Sequence, residues 1–428
     1  MKAQMKPNDN VLWYLKRSAV PVLRESIDVD VVIVGGGMAG LSAAQAWALR
    51  GKKVALLEQY FCGAGASGKS SGFITPNAEL SCADFVGRYG QQGAKNIWAL
   101  INGGVDLIRN NIEHHDLSCR YSPEDTLVVA NNSRGLKGLV KEYEAISQFG
   151  YPAKLYDQQS VQQMIGSAGY MGGVLYENTF GIDAYAYCQG MKQKLQDLGV
   201  LIFEETPVTS IQEHEVRTPY GQVRADYIVV SVDRYLPDMG LFKDDVFQVQ
   251  TYVMASQQLT PEQIKTIFPD RNLMCWDTQF IYNYFRLTAD NRLLLGGSDF
   301  FSTYSYVDNY AYMRIVKKLT DYFNAQFPTM NLQFEYRWSG LIGISKDIAP
   351  LIGVDKQYPY RFYIASCAGL PIAAAMGRYS AARLLDGVDE FERYFSIYRN
   401  FPVGGLVQKV IGKRMAFALS NLLKMNIP

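Results

Sequence analysis

The chain has 428 residues, 48% of them hydrophobic and 19% charged, enough for two or three globular domains and too polar for a multispanning membrane protein. Lys and Arg number 42 against 41 Asp and Glu, a net charge of +1, so no global field favours nucleic acid. Three histidines, and six scattered cysteines without a CxxC pair, exclude a zinc framework, a disulfide scaffold and multi-histidine chemistry. A cofactor has to be suspected early, and no metal is expected.

Residues 1–27 read as a polar N-terminal extension without the continuous apolar core of a secretory peptide. No run reaches the ~18 apolar residues of a membrane span, so a cytoplasmic protein is expected. Asp28 to Val34 is a short β-branched run that reads as a buried parallel strand. The glycine-rich turn Gly35 to Gly40 follows, then a helix with Leu41, Ala44, Ala48 and Leu49 on one face and Gly51 as its stop. Lys53 to Leu57 is a second strand, ending at Glu58. This is a βαβ unit of the size expected for a right-handed crossover.

Further strands are predicted at Thr126 to Ala130, Tyr227 to Val232, Val246 to Ser256, Phe280 to Leu287, Arg292 to Leu295 and Arg361 to Ala365. Thr288 to Asn291 suits a hairpin turn, and Asp308 to Phe327 a helix capped by Asp308 and closed by Pro328. The fold class is α/β, in two domains. A Rossmann-type dinucleotide domain over 28–94, 152–235 and 337–390 is interleaved with an antiparallel-sheet substrate domain over 95–151 and 236–336. A tail, 391–428, closes the chain.

Gly35-x-Gly37-x-x-Gly40 gains its meaning from context: it follows a strand, opens a helix, and Glu58 ends the next strand roughly twenty residues on. Gly35 allows the tight turn, Gly37 lets backbone approach a pyrophosphate, and Gly40 lets helix and strand pack closely. The NH groups of Met38 and Ala39 open the helix toward the phosphates. Glu58, with Gln59 beside it, can accept hydrogen bonds from an adenosine ribose. Gly63 to Ser70 also satisfies the P-loop pattern GxxxxGK[ST], and Asp233 after a strand mimics an ATPase acid. A working P-loop opens into a helix, whereas Gly72 and Pro76 would break one here. The loop is better read as a second cradle for the same dinucleotide, with Gly65, Ala66, Ser67, Ser70 and Ser71 near it and Lys69 as a positive charge.

GGGMAGLSAAQAWALRGKKVALLE followed by GAGASGKSSG resembles the FAD-dependent D-amino-acid oxidase superfamily, which includes glycine oxidase, sarcosine oxidase and γ-glutamylputrescine oxidase. The likeness runs from about Asn8 to Leu385, through Gly181-Ile182-Asp183-Ala184-Tyr185, Thr206-Pro207-Val208, Tyr284 to Thr288, Asn291 to Gly297 and Trp338 to Gly343. The last three segments and the basic tail are most similar to the γ-glutamylputrescine oxidase branch. The resemblance implies oxidation of the C–N bond of an amine or amino acid. A hydride passes from the substrate carbon to flavin N5, the imine hydrolyses, and oxygen or a quinone reoxidises the flavin. It places Val208 against the cofactor, and Gly369, Leu370 and Pro371 in the loop near the flavin pyrimidine. It also implies that Arg286 can present charge to a substrate carboxylate, a surface salt bridge being the other reading. Tyr252, Tyr282 and Tyr284 would line the substrate cavity, and Lys346 would stand near the flavin edge to assist oxygen.

Three departures accompany the likeness. The family's GRNGG loop reads Gly68-Lys69-Ser70-Ser71-Gly72, a strand usually ending Ala/Thr-Gly ends Ser231-Val232-Asp233, and GxxGHG reads Ser366-Cys367-Ala368-Gly369-Leu370-Pro371. Ser345-Lys346 occupies the region where sarcosine oxidases carry a flavin-linking cysteine, so FAD is expected to be non-covalent; Cys367 suits apolar packing. His114-His115 reads as surface. The tail from Gly404 to Met425 is apolar and basic without an acidic residue. It suits an amphipathic helix on an anionic membrane, or docking onto its own domain or a partner. Two alternatives to the oxidase stay open: a membrane-associated dehydrogenase feeding quinone, and a flavin-binding subunit without turnover.

Overall fold

The computed structural model describes residues 11–14, 20–77, 79–304, 309–401 and 403–424. Asp308 and Met425 lie outside the described residues, as does most of the first nineteen-residue stretch.

Two eight-stranded sheets organise the described chain. The first is built on Ser26–Val34, whose last four residues, Val31 to Val34, are covered on both faces and continuously apolar. It pairs in parallel with Val54–Leu57 on one side and Gln222–Val230 on the other. Leu201–Phe203 and Arg361–Ala365 extend it in parallel, and Leu351–Val354 adds an antiparallel edge. The helix Met38–Ala48 crosses from the first strand to the second, as the glycine-rich turn predicts. It packs against the helix Leu370–Asp386, where the indole of Trp47 donates to Ser380 Oγ at 3.2 Å.

The second sheet runs in the order Phe334–Ile344, Phe247–Gln258, Arg292–Gly297, Tyr284–Leu287, Met274–Asp277, Thr126–Val129, Gly172–Tyr176 and Ala153–Asp157. It is antiparallel except where Met274–Asp277 lies parallel to Thr126–Val129. Its membership divides the segment 152–235 expected in the dinucleotide domain: 172–176 pairs with Thr126–Val129, and 153–157 pairs with 172–176 at the edge. Phe334–Ile344 likewise carries the second sheet beyond the expected boundary at 337. Short apolar strands read alike in either sheet, and only their non-local partners decide. The predicted strand from Phe280 starts at Tyr284. Ahead of it, Asp277 Oδ1 accepts the NH groups of Gln279 and Asn283 and turns the chain.

One face of the second sheet, with Tyr252, Met254, Phe285, Leu287, Leu293 and Leu295, packs against helices such as Asn309–Gln326. The opposite face carries Val253, Ala255, Leu294, Tyr284 and Trp338 toward the first domain. Between the domains runs the long helix Cys82–His115, started by a reciprocal Ser81–Asp84 capping box and kinked at Gly90, φ 70°. His114 on its last turn is exposed and His115 half-buried.

Candidate dinucleotide and substrate site

The turn after the first strand has the geometry its sequence predicts. Gly35 sits at φ +106°, and a Cβ on Gly40 would lie 1.9 Å from the Gly35 carbonyl oxygen, so helix and strand approach more closely than any side chain allows. Gly37 caps the helix without a side-chain hydrogen bond, and no acidic residue stands in the first turn. The helix therefore offers the NH groups of its first turn, that of Met38 apart, to an anion. Met38 donates its NH to Ser67 Oγ at 2.9 Å, tying the second glycine loop to the first.

Glu58 ends the second strand with Oε2 accepting the Gly36 NH at 2.7 Å and Oε1 accepting the Tyr60 NH at 2.9 Å. Burial pushes its carboxyl up to about 7, against the pull of those NH groups. Gln59 and Tyr60 follow it half-buried. Val208, also half-buried, packs with the core of the first sheet.

Gly65 opens a helix of only four residues, Ala66–Lys69, and Ser70 is already extended. A P-loop needs a continuing helix at this point, so the ATPase pattern has no structural counterpart. Three side chains pin this loop by its carbonyls. Trp13 Nε1 donates to Gly68 O at 2.6 Å, Trp338 Nε1 to Lys69 O at 2.8 Å, and Tyr14 OH to Ala64 O at 3.0 Å. Trp13 and Tyr14 belong to the segment read as a mere extension; nothing local in the sequence marks their partners. Burial, with the nearby Arg234 charge, lowers the Lys69 ammonium to about 8.

Asp233, where the family pattern favours a small residue, has φ +49°. Its carboxylate accepts the NH groups of Gly343 at 2.6 Å and Ser366 at 3.0 Å. It stitches the first sheet, the second sheet and the flavin-side loop together, a role sequence reasoning missed. In that loop, Gly369 at φ +128° leads into the helix Leu370–Asp386, with Pro371 in its first turn. Proline there removes an NH that the helix does not use. Cys367 is half-buried, and burial raises its thiol well above the ordinary range, consistent with packing.

The structure corrects three expected substrate contacts. Arg286 is 3% exposed, and backbone carbonyls take all its nitrogens: Nε donates to Ser71 O at 2.6 Å, Nη1 to Leu287 O at 2.8 Å and Nη2 to Ile182 O at 2.6 Å. It clamps the cofactor loop from within the core. Lys346 is 2% exposed and faces the tail, with Nζ 3.4 Å from Asp245 Oδ1 and over the rings of Phe401 and Phe417. Tyr252 is opposite Gly297, whereas Tyr284 is opposite Gly296. One step of register places Tyr252 on the helix-covered face and in the core.

Tyr284 does face the first domain, with hydroxyl contacts to Thr251 and Ser71. A Cβ on Gly296 would lie 2.1 Å from its ring, so the ring lies flat across the strand there. Tyr282 stands beside it, its hydroxyl donating to Glu79 Oε1 at 2.9 Å. Glu79 was not anticipated from sequence.

The glycine cradle, the Glu58 carboxylate, the second pinned loop and the Gly369 helix start form a donor set that fits a flavin adenine dinucleotide: NH groups for phosphate and ring carbonyl, a carboxylate for ribose. Comparison with known proteins agrees. The model of the family "FAD dependent oxidoreductase" (DAO) matches residues 30–383. A probable oxidoreductase OrdL of Haemophilus influenzae is 29% identical over 383 residues, covering 86% of each chain. Gamma-glutamylputrescine oxidoreductase of Escherichia coli is 28% identical over 398 residues, covering 91% of each. Among solved structures, glycine oxidase from Geobacillus kaustophilus shares the fold with a TM-score of 0.71 at 18% identity, over 87% of this chain and 99% of that one. L-proline dehydrogenase from P. horikoshii does so with 0.74 at 18% identity, over 89% and 98%. The chain belongs to the DAO family of FAD-dependent oxidoreductases.

Proposed function

We propose that the protein oxidises the C–N bond of an amine, in the manner of γ-glutamylputrescine oxidase, with FAD held non-covalently. Bound FAD supplies the acceptor for a hydride leaving the carbon beside an uncharged amine nitrogen. The chain's own groups bind and orient. Gly35, Gly37, Met38, Ala39 and Gly40 present backbone to the pyrophosphate. Glu58 accepts ribose hydroxyls, and Gly65, Ala66, Ser67, Lys69, Ser70 and Ser71 cover the cofactor's middle. Gly369, Leu370 and Pro371 bring a helix N-terminus toward the flavin ring. The observation that supports a catalytic role is one juxtaposition. Trp338 Nε1 reaches Lys69 O, and Tyr284 reaches Ser71, so the aromatic face of the second sheet meets the cofactor loop directly. Anaerobic mixing of the yellow protein with a panel of amines and amino acids is the test. Bleaching by an amine is expected, and bleaching by none would leave only a flavin-binding subunit.

Glu58 gives this reading a pH signature. Its raised value means that the apoprotein holds an extra proton between about 4.5 and 7, so its contribution to apoprotein stability falls as pH rises through that window. Ribose hydroxyls favour the ionised carboxylate, so binding of FAD expels the proton. FAD affinity, read by flavin fluorescence quenching, is expected to rise from pH 5.5 to 8 and to lose that slope in Glu58→Gln.

A second reading, a dehydrogenase passing electrons to quinone at a membrane, is favoured by the tail. The helices Gly405–Ile411 and Lys413–Lys424 bury Ala416, Phe417 and Asn421 against the chain, yet Leu406 is 80% and Val410 83% exposed, and Met415, Leu419 and Leu423 are exposed as well. Lys409 and Arg414 flank these residues. The tail thus docks on its own domain by one face and presents a second apolar, basic face that suits an anionic bilayer. No helix among the described residues is long and apolar enough to cross a membrane. The location this reading carries is cytoplasmic and peripheral; six free thiols accord with a reducing compartment. Phosphatidylglycerol vesicles are expected to sediment the protein, phosphatidylcholine vesicles far less, and Leu406→Asp with Val410→Asp to abolish the difference. Rapid reoxidation of the reduced protein by air would assign it to the oxidases instead.

A further inference from the structure

Four aromatic side chains close a circuit beside the cofactor loop. Ring centroids are 5.7 Å apart for Phe73 and Trp276, 6.2 Å for Trp276 and Tyr282, 6.0 Å for Tyr282 and Tyr284, and 5.9 Å for Tyr284 and Phe73. All four are only half-buried, although they lie where the two domains meet. They come from three places in the chain. Phe73 follows the cofactor loop directly, Trp276 and Tyr284 lie on adjacent strands of the second sheet, and Tyr282 stands in the turn between them. Gly296 lets the Tyr284 ring lie across the sheet, and the contact with Ser71 holds it to the cofactor loop.

Glu79 completes this wall. It lies between the strand Phe73–Ile74 and the helix Cys82–His115, and its carboxylate takes the Tyr282 hydroxyl at 2.9 Å. Burial raises the carboxyl above its ordinary range, and no lysine or arginine offsets that. Among the described residues no ion pair joins it. Arg286 and Lys346, the two cations expected at the substrate, are turned to backbone carbonyls and to the tail. Nor, among the described residues, does a lysine or arginine stack on any of the four rings, so the wall offers negative ring faces and one acid. Aromatic faces attract a cation by their quadrupole, and a buried acid gains most from an ionic hydrogen-bond donor.

We propose that Glu79 with Phe73, Trp276, Tyr282 and Tyr284 forms a subsite for a cationic nitrogen of the substrate other than the nitrogen that is oxidised, so that the substrate class is a diamine or an amine with a second ammonium group. This builds on the amine oxidoreductase reading above and narrows it. The rings surround the distal ammonium, Glu79 takes its N–H, and the second nitrogen is left toward the cofactor side. A substrate with a carboxylate at the same end meets Glu79 as a like charge.

The test uses the FAD-loaded full chain. Anaerobic flavin reduction is compared for 1,4-diaminobutane, n-butylamine and 4-aminobutyrate. The wild type is expected to prefer the diamine over the monoamine by about tenfold or more in apparent affinity, and to take the amino acid worst. In Glu79→Gln the diamine-to-monoamine preference is expected to collapse toward unity, with FAD content and Tm confirming a folded protein. A preference that survives in Glu79→Gln, or a wild type that prefers the amino acid, overturns the subsite. A second readout needs no turnover: tert-butylammonium, which keeps its N–H donors but has no hydrogen on the carbon beside nitrogen to give up, should perturb the bound-flavin spectrum in the wild type and not in Glu79→Gln, while butyrate perturbs neither. Should no amine bleach the flavin, the oxidoreductase reading fails while this titration still decides the subsite. No perturbation by tert-butylammonium sinks the subsite alone.

Discussion

Gly40→Ala is expected to leave the protein without FAD. The new Cβ would stand 1.9 Å from the Gly35 carbonyl oxygen and 2.9 Å from Ser231 Oγ. The first contact is with backbone, which cannot rotate away, so the helix Met38–Ala48 must shift off the strand Ser26–Val34. Its N-terminal NH groups then no longer converge on the phosphates. A loss of about a hundredfold or more in FAD affinity, on the order of 3 kcal/mol, is expected. Titration of the apoprotein with FAD measures it, and the purified variant should be colourless. Gly87→Ala is the matched control: nothing lies within 4 Å of its Cβ, it sits in a helix, and alanine there is neutral or mildly stabilising. Normal FAD affinity in Gly40→Ala would show that the close helix–strand approach is not needed for the cofactor.

Arg286→Leu should unfold the junction between the domains before it alters substrate preference. Truncation removes the donors to Ser71 O, Ile182 O and Leu287 O at once, takes from Glu124 its positive neighbour and leaves Asp183 with Arg120 alone. Burial raises both acids, and Arg286 is among the groups that lower them. Losing one member of such a buried network costs about 3–5 kcal/mol, seen as a fall in Tm on the order of 10 °C. FAD content should fall with it, because Ser71 belongs to the cofactor loop. Arg286→Lys is expected to recover only part of the loss, since an ammonium cannot reach three divergent carbonyls as the guanidinium fork does. A residue that only held a substrate carboxylate would give the opposite pattern: unchanged Tm and a raised KM for carboxylate substrates alone.

The difference between these two positions shows what kind of information the sequence holds. Gly35, Gly37, Gly40 and Glu58 are legible because their function is local. A turn, a helix start and a strand end lie within one βαβ unit, and the backbone geometry of a phosphate cradle leaves little choice of residue. The failure of the P-loop pattern was legible for the same reason, since Gly72 and Pro76 act within a few residues of Lys69. Arg286 sits in an equally recognisable segment, yet its role depends on three carbonyls, two of them in distant parts of the chain. Lys346 follows the strand Phe334–Ile344 and is taken over by Asp245, Phe401 and Phe417, none of them a sequence neighbour. Tyr252 was misread by one step of register, which alternation alone cannot settle when both faces of a strand are buried. Glu79 carried no signal at all: a single acid before a helix is ordinary until Tyr282 and the aromatic rings arrive from the second sheet.

The sequence by itself thus determined the cofactor class, the first βαβ unit, the residues of its glycine cradle and the apolar, basic character of the tail. These follow from backbone conformations and amphipathic patterns encoded over short stretches. The tertiary structure alone decided which sheet each short strand joins, which charges are consumed as internal clamps, and which face of the tail is left exposed. It also decided that Arg286 lies in the core on backbone carbonyls, and that Tyr282 reaches Glu79 beside the other rings. The physical reason is the same in each case: a buried charge or ring takes its meaning from the partners that desolvate it, and those partners are distant in the chain.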